Sequence, residues 1–248
     1  MRIAVVGATG QVGAPAAEAL ERAGHEVVRV SRSAGVDIET GAGLAEALAG
    51  VDAVIDASNT PAQDEAEVVA FFGSATRNLL AAEQQAGVGH HVLLSIVGID
   101  KDQDVPHYAG KREQERLVTA GPVPWSVVRA TQFHELAARV ASWSEADGVA
   151  RIAPLLVQPV HPAEVGQVLA EVAAGAPLNA LLDVAGPQTE DFVDMARRTY
   201  AARGQEITLV PTWQGAFDTS MAGEVLLPGP DARIMTGTFE DWLASGAQ

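Results

Sequence analysis

The chain of 248 residues is long enough to bury a large core, and its 48% hydrophobic content suits a compact globule rather than a disordered chain. Its 32 acidic and 16 basic residues give a formal net charge of −16, which repels a phosphate backbone and argues against nucleic-acid binding. Because the sequence has no cysteine, disulfides, thiolate nucleophiles and cysteine-ligated metals are excluded.

The first residues of the chain, 2–6, have the pattern of a buried strand, and we therefore expect no leader sequence. The longest apolar stretches are too short to cross a bilayer. These observations predict a cytoplasmic protein that has no membrane partner.

The first 130 residues alternate between short apolar runs and stretches whose apolar residues have helical spacing. Strands are predicted over residues 3–6, 25–30, 51–57, 91–95 and 125–129, and helices over 11–23, 44–48, 64–86 and 108–120. Glycines at 24 and 87 mark two of the helix ends. This alternation predicts an α/β fold with a doubly wound parallel sheet, the Rossmann architecture.

After residue 130 the alternation is less regular. Helices are predicted over 133–143, 163–174, 191–203 and 239–243, strands over 181–184 and 207–210, and mixed structure over 152–160. With no linker or repeat visible, we interpret residues 1–248 as a single domain. Residues 131–248 then form a C-terminal lobe that contains the last elements of the sheet.

Three glycines separate the first strand from the first helix, in the pattern G-x-x-G-x-x-G formed by Gly7, Gly10 and Gly13. Glycines at this place allow a tight turn and let the backbone approach a pyrophosphate, which the helix start then binds. Ala8 occupies one glycine position of the commoner dinucleotide-binding pattern. The alternative is a turn whose glycines have no ligand, but the strand before it and the helix after it favour binding.

The second strand ends in Ser31, Arg32 and Ser33, with no acidic residue. An acidic side chain there would bind the adenosine ribose of NAD, whereas a guanidinium flanked by hydroxyls suits a 2′-phosphate. The segment therefore predicts NADP(H), unless Arg32 is only a solvated surface residue.

Six segments together resemble an atypical short-chain dehydrogenase/reductase, and more closely its NmrA-like NAD(P)-binding branch, over essentially the whole chain. They are Gly7–Gly13, Ser31–Ser33, Val36–Ile38, Ala57–Asn59, Leu94–Gly98 and the helix of Lys111. The resemblance implies that Asp37 and Ile38 border the adenine. It also implies a cofactor site built from Gly7, Thr9, Gly10, Gln11, Val12, Gly13, Ser31, Arg32, Ser33, Asp37, Ile38, Ala57, Ser58, Asn59 and Lys111.

Short-chain reductases use a tyrosine, a lysine four residues later on the same helical face, and a serine from the preceding strand. The resemblance places Ser95 and Lys111 in two of these roles. The residue four before Lys111 is His107, however, and Tyr108 lies only three before it. Tyr108 could donate the proton from a slightly rotated face, His107 could replace it, or the helix could bind cofactor and pack without catalysis.

Polar and aromatic residues follow the fifth strand, where such folds open toward substrate. We expect Thr131, Gln132, Phe133 and His134 to contact the substrate, with Trp143 as a second apolar wall beside Phe133. Interior packing is the alternative for both aromatic residues. No histidine pair has metal-binding spacing, and no metal site is expected.

These features predict an NADPH-dependent oxidoreductase that reduces a small, largely apolar carbonyl or enone. Two other functions stay open: a non-catalytic NADP(H)-binding regulator that contacts a partner protein, and a non-redox cyclase or isomerase on the same fold. The expected partner is a small-molecule substrate, and the chain is expected to be a monomer or a homodimer.

Overall fold

The computed structural model describes residues 1–101 and 105–246. In this part of the chain the strands are β1 (Arg2–Val6), β2 (Glu26–Val30), β3 (Ala53–Asp56), β4 (His90–Ile96), β5 (Trp125–Ala130), β6 (Val149–Ile152), β7 (Leu156–Val157), β8 (Leu181–Ala185), β9 (Glu190–Asp191), β10 (Thr208–Pro211) and β11 (Arg233–Ile234). The helices are α1 (Gly13–Arg22), α2 (Leu44–Ala47), α3 (Glu65–Ala86), α4 (Pro106–Thr119), α5 (Leu136–Trp143), α6 (Pro162–Ala173), α7 (Phe192–Ala202) and α8 (Phe239–Ala244). None of these helices combines the length and apolar composition that a membrane span needs.

Seven strands form one parallel sheet in the order β2–β1–β3–β4–β5–β8–β11, with helices flanking it, which confirms the predicted doubly wound fold. The chain starts in β1, moves to β2 at the sheet edge and then crosses back to β3. The strand order therefore reverses between β1 and β3, the place where open α/β sheets bind ligands. The predicted strand over 207–210 lies in a separate two-stranded sheet, where β10 pairs with β6.

The described chain divides into two compact units. The first consists of residues 1–99, 105–129 and 162–182, and the second of residues 100–101, 130–161 and 183–246. Helix α6 belongs to the first unit, although its residues fall within the predicted C-terminal lobe. The interpretation as one domain with a substrate-binding lobe stays a prediction.

The core of the first unit is built from strand and helix side chains such as Ala4, Val54 and Leu93, all essentially without solvent exposure. Helix α3 packs on this core and ends before Gly87 as predicted, but Asp64 is its N-cap rather than its first residue. The Asp64 side chain accepts a hydrogen bond from the Glu67 N–H at its start, and Gly87 adopts a left-handed conformation at its end.

Two adjacent aromatic residues of α3 differ in burial. The Phe71 ring is half-buried, whereas Phe72 is fully buried. Phe72 lies seven residues before the buried Leu79, which places both on the same helical face.

In the second unit, α5 packs against α7, and Phe192 and Met195 of α7 are fully buried. Helix α7 begins at the Asp191 carboxylate, which accepts a hydrogen bond from the Asp194 N–H at 2.8 Å. The predicted helix over 191–203 is thereby confirmed, with Asp191 as its cap rather than its first residue.

Candidate functional site

The turn after β1 depends on close backbone packing at two of its glycines. Gly7 has a φ of +74°, and a Cβ there would lie 2.5 Å from the Ala57 carbonyl oxygen. A Cβ on Gly13 would lie 2.2 Å from the Gly7 carbonyl oxygen. Gly10 is exposed, and a Cβ there would meet only that same oxygen, at 3.1 Å. The side of the turn at Gly10 therefore lets a ligand approach the backbone.

Helix α1 starts directly after this turn and has no side-chain cap. Its N-cap is Val12, and its first turn contains no acidic residue, so neither a hydroxyl nor a carboxylate competes for its first N–H groups. Thr9 and Gln11 beside it are exposed, while Val12 is buried. A close-approach turn followed by an uncapped helix start fits the pyrophosphate of a dinucleotide.

The end of β2 presents a cation and two hydroxyls. The Ser31 and Ser33 hydroxyl oxygens lie 3.0 Å apart, and Arg32 between them is exposed. Within the described residues, the Arg32 guanidinium has no ion-pair or hydrogen-bond partner. Its charge is therefore available to an anionic ligand.

The loop after β2 is folded back on itself. Asp37 and Ile38 are half-buried, and one Asp37 carboxylate oxygen accepts a hydrogen bond from the Glu39 N–H at 2.9 Å. The Ile38 carbonyl oxygen accepts another from the Asn78 side chain of α3 at 3.1 Å. These bonds fix the segment that the family resemblance assigns to the adenine.

Residues after β3 lie next to the glycine turn, as the contact between Gly7 and Ala57 shows. The buried Ser58 donates its N–H to the Asp56 carboxylate at 2.9 Å, and Asn59 beyond it is exposed. The structure thus brings together two segments that the sequence assigns to the cofactor from places 50 residues apart.

A buried lysine lies at the carboxyl ends of β3 and β4. The Lys111 ammonium donates hydrogen bonds to the Gln114 side chain at 2.8 Å, the Leu94 carbonyl at 3.0 Å and, weakly, the Ser58 carbonyl at 3.5 Å. It also lies 4.7 Å from the centre of the Phe72 ring. Burial lowers the pKa of Lys111 to about 8, against the opposite influence of the Asp56 and Glu115 carboxylates.

Ser95 lies near the end of β4, next to the carbonyl that Lys111 contacts. It is 1% exposed, and its hydroxyl has no hydrogen-bond partner among the described residues. A buried hydroxyl without a partner is uncommon in folded proteins. Its position fits a group that orients a bound oxygen.

The first turn of α4 carries both candidate proton donors. Tyr108 is buried, and its N–H donates to the Val105 carbonyl at 2.9 Å. The His107 ring meets the Phe72 ring edge-on, with centres 5.6 Å apart. Burial, reinforced by the Lys111 charge, lowers the pKa of His107 to about 4, so its imidazole is neutral near pH 7.

Thr131 and Gln132 of the second unit are both buried. The Thr131 hydroxyl donates to the Gln158 carbonyl at 2.6 Å. The Gln132 side chain is 6% exposed, and neither its oxygen nor its nitrogen has a partner among the described residues. An amide left in this state is destabilising until a ligand or water satisfies it.

The other predicted substrate residues have different environments. Phe133 is half-buried, whereas His134 is fully buried and lies 5.7 Å from Phe239 and 5.9 Å from Trp242, measured between ring centres. Trp143 is 61% exposed, so the alternative of interior packing is wrong for it. Its ring faces solvent because α5 ends there.

Three buried polar residues beside Lys111 were not singled out from the sequence. They are Gln114, Asp56 and Glu115, the last of which forms a two-pronged ion pair with Arg129 at 2.7 and 2.9 Å. Gln114 and Glu115 lie three and four residues after Lys111, and that helical spacing was the available signal. Within the described residues, no cluster of acidic and histidine side chains could hold a metal ion.

Residues 7–174, which run from the glycine turn through α6, match the NAD(P)H-binding family. The chain belongs to this family. That match covers more than half of its length and includes the turn, the Arg32 segment and the Lys111 helix. The predicted kinship with atypical short-chain dehydrogenases/reductases is confirmed, and a nicotinamide dinucleotide is the cofactor of the family.

A curated relative is the (4-alkanoyl-5-oxo-2,5-dihydrofuran-3-yl)methyl phosphate reductase of Streptomyces griseus subsp. griseus, with 34% identity over 145 residues. The match spans 53% of this chain and about half of that protein, 48%. The structure of MoeE5 with UDP-glucose and NAD is similar over 100% of this chain and 97% of its own, with a TM-score of 0.74 and 19% identity. The structure of the Citrobacter sp. triphenylmethane reductase complexed with NADP(H) is similar over 86% of this chain and 79% of that protein's chain, with a TM-score of 0.62 and 19% identity.

Proposed function

We propose that this protein is an NADPH-dependent oxidoreductase that reduces a small, largely apolar carbonyl or enone. The observation that carries the proposal is the buried Lys111 ammonium on the Leu94 carbonyl, followed in β4 by Ser95, whose buried hydroxyl has no partner among the described residues. A cation and a hydroxyl without a protein partner at one strand end suit stabilisation of a developing oxyanion. The name of the Streptomyces relative also supports reduction of a ring that carries a carbon–carbon double bond next to a carbonyl.

The cofactor residues have complementary tasks in this proposal. The turn at Gly10 and the start of α1 bind the pyrophosphate, and Arg32 pairs with the 2′-phosphate of the ribose. Asp37 and Ile38 border the adenine. When bound, NADPH supplies the hydride.

Tyr108 is the proposed proton donor to the substrate oxygen. The neutral imidazole of His107, with its pKa lowered to about 4, is a poor acid near pH 7. The Lys111 ammonium lies one turn along the same helix and stabilises the phenolate that Tyr108 forms. Ser95 orients the substrate oxygen.

We place the substrate against Thr131, Gln132, Phe133 and His134. Gln132 offers a donor and an acceptor that no described protein group uses. A cytoplasmic location, a monomeric or homodimeric state and membership of the NmrA-like branch remain part of the proposal.

One observation favours a second function, a non-catalytic NADP(H)-binding regulator. The Lys111 ammonium already donates to two protein acceptors, the Leu94 carbonyl and the Gln114 side chain. His107, which stands where the family has its tyrosine, is neutral near pH 7. Turnover separates the two functions. We expect purified protein to oxidise NADPH with at least one member of a panel of aldehydes, ketones, enones and quinones, and no turnover with any of them favours the regulator.

Cofactor choice is tested by titrating NADPH and NADH by calorimetry. A charge-assisted contact from Arg32 is worth about 1.5–3 kcal/mol, so NADPH should bind about tenfold more tightly or better. Arg32→Ala should remove this preference, whereas Arg22→Ala at the far end of α1 should keep it. Equal affinities in the wild-type protein contradict the choice of NADPH.

A further inference from the structure

The side-chain amide of Gln114 joins two buried groups of opposite charge. Its oxygen accepts a hydrogen bond from the Lys111 ammonium at 2.8 Å, and its nitrogen donates one to the Asp56 carboxylate at 2.7 Å. An ammonium only donates and a carboxylate only accepts, so these partners fix which way the amide points. The same carboxylate accepts the Ser58 N–H through its other oxygen at 2.9 Å.

All three members of this chain are inside the first unit. Gln114 is 0% exposed, Asp56 1% and Lys111 4%. A buried ammonium is stable only when polar groups surround it. The contact with Gln114 is its shortest, and the contact with the Leu94 carbonyl directs it to the end of β4.

We propose that Gln114 is a positioning residue that relays the negative charge of Asp56 to Lys111 and thereby holds the ammonium at the Leu94 carbonyl, one residue before Ser95. This inference rests on the proposed function, in which Lys111 acts on substrate or cofactor. Leucine at this position would remove one hydrogen bond from each group, leaving the ammonium with the Leu94 carbonyl and the weak Ser58 contact, and the carboxylate with the Ser58 N–H. A carboxyl group would still accept from Lys111 and, when protonated, would still donate to Asp56.

Lys111 has a small set of charged or titratable neighbours in the described chain. Asp56 faces it from β3, and Glu115 and His107 face it from α4. Glu115 is also paired with Arg129 of β5. Helix α3 contributes the uncharged Phe72 ring. The Gln114 amide thus links Lys111 to the Asp56 carboxylate through two hydrogen bonds.

The test follows the Lys111 side chain without any turnover. The sequence contains two lysines, Lys101 and Lys111, so protein labelled with ¹³C-lysine gives two Cε signals, and Lys101→Arg assigns them. In cofactor-free wild-type protein the Lys111 signal should titrate near pH 8, in line with its lowered pKa. Gln114→Leu should lower this midpoint by about one pH unit, the scale of one lost charge-assisted hydrogen bond.

Gln114→Glu keeps the acceptor, so the midpoint should stay at or above the wild-type value. Gln85→Leu, an exposed change on α3, controls for general effects of the substitution. If Gln114→Leu does not fold, Asp56→Asn replaces it and should lower the midpoint in the same way. A Lys111 midpoint that is the same in the leucine and glutamate variants overturns the relay.

The midpoint of the Lys111 signal is measured without turnover, so a failed relay and a failed proposed function give different results: the first leaves the midpoint unchanged in Gln114→Leu, and the second leaves the purified protein without turnover. Where turnover is found, Gln114→Leu should also move the pH profile of kcat to lower pH by the same amount as the signal, with Gln114→Glu restoring it. A packing role alone would change stability but would not move the profile.

Discussion

Gly10 is exposed in the turn after β1, so a substitution there can affect ligand binding without disturbing the fold. A side chain there meets only the Gly7 carbonyl oxygen, whereas a Cβ on Gly13 would overlap that oxygen at 2.2 Å. Gly10→Val should therefore keep the circular dichroism spectrum and lose most of its NADPH affinity by calorimetry, because valine displaces the pyrophosphate. Gly215→Val, in open space, is the control, and normal NADPH binding by Gly10→Val means that the cofactor lies elsewhere.

Lys111 combines two roles that a substitution can distinguish. Lys111→Met keeps an unbranched apolar side chain on α4 but removes the charge that lies 4.7 Å from the centre of the Phe72 ring. If the protein turns over, we expect kcat to fall by about 10²-fold or more, the usual scale for a lost acid–base partner, with a smaller loss of cofactor affinity. Steady-state kinetics with saturating NADPH measure both effects.

The proton donor is assigned by comparing Tyr108→Phe with His107→Ala. We expect Tyr108→Phe to abolish most turnover and His107→Ala to have a minor effect, because the pKa of His107 is lowered to about 4. Full activity in both Tyr108→Phe and Lys111→Met would show that the dehydrogenase-type mechanism is wrong. A strong loss only in His107→Ala would assign the donor role to the imidazole.

At this scale the sequence predicts residues that follow a motif and misses residues that depend on distant contacts. The glycine turn was predictable because strand, turn and helix adjoin in the chain. The contact of Gln114 with Asp56 joins residues 58 apart, and no local pattern indicates it. The unpartnered amide of Gln132 likewise becomes visible only once its surroundings are known.

Helices α3 and α4 pack closely at Gly110, and this contact positions the helix that carries Lys111. A Cβ on Gly110 would lie 2.5 Å from Phe72 and 2.6 Å from Val68, both fully buried side chains. Gly110→Ala should destabilise the protein by about 1–3 kcal/mol in urea unfolding, since neither neighbour can move freely. Gly175→Ala, where the nearest atom is at 3.5 Å, should be nearly neutral.

The outcome for Gly110→Ala also bears on the site. Because α4 would shift away from α3, NADPH affinity should fall together with stability. Equal stability of the two alanine variants would show that the packing at Gly110 is loose.

Strands and helices were predictable where the sequence has a short apolar run or has capping residues at both ends of a helical pattern. The strands β1 and β3 are short apolar runs buried along nearly their whole length, and α3 has Asp64 and Gly87 at its ends. The partner of β10 was not predictable, because strand pairing depends on residues that lie far apart in the chain. The grouping of α6 with the first unit also depends on residues far apart in the chain, because Gly166 of α6 packs closely against Ala16 of α1.

The whole molecule carries a net charge of −16. Among the described histidines, the pKa is lowered in the half-buried His107 and in the buried His134 and His90. Burial lowers the pKa of both His107 and His134 to about 4, from an ordinary value of 6.5. Between these values the unfolded chain binds protons that the folded chain does not, so the free energy of unfolding should fall as the pH falls. The buried pair of His91 and Glu83 acts differently, since interaction with Glu83 leaves the pKa of His91 raised.

His134→Phe isolates one of these contributions within the second unit, where His134 is enclosed by Phe239 and Trp242. From a shift between 6.5 and about 4, one such histidine should remove about 2 kcal/mol at pH 5 relative to pH 7.5. Urea unfolding of the wild-type protein and of His134→Phe at both pH values gives the change in the free energy of unfolding with pH for each protein. The difference between these two changes is independent of any change in packing. The variant should lose less stability on acidification by about this amount. Parallel pH dependences would show that the His134 ring is protonated as readily in the folded chain as in the unfolded one, so that its burial is not maintained in solution.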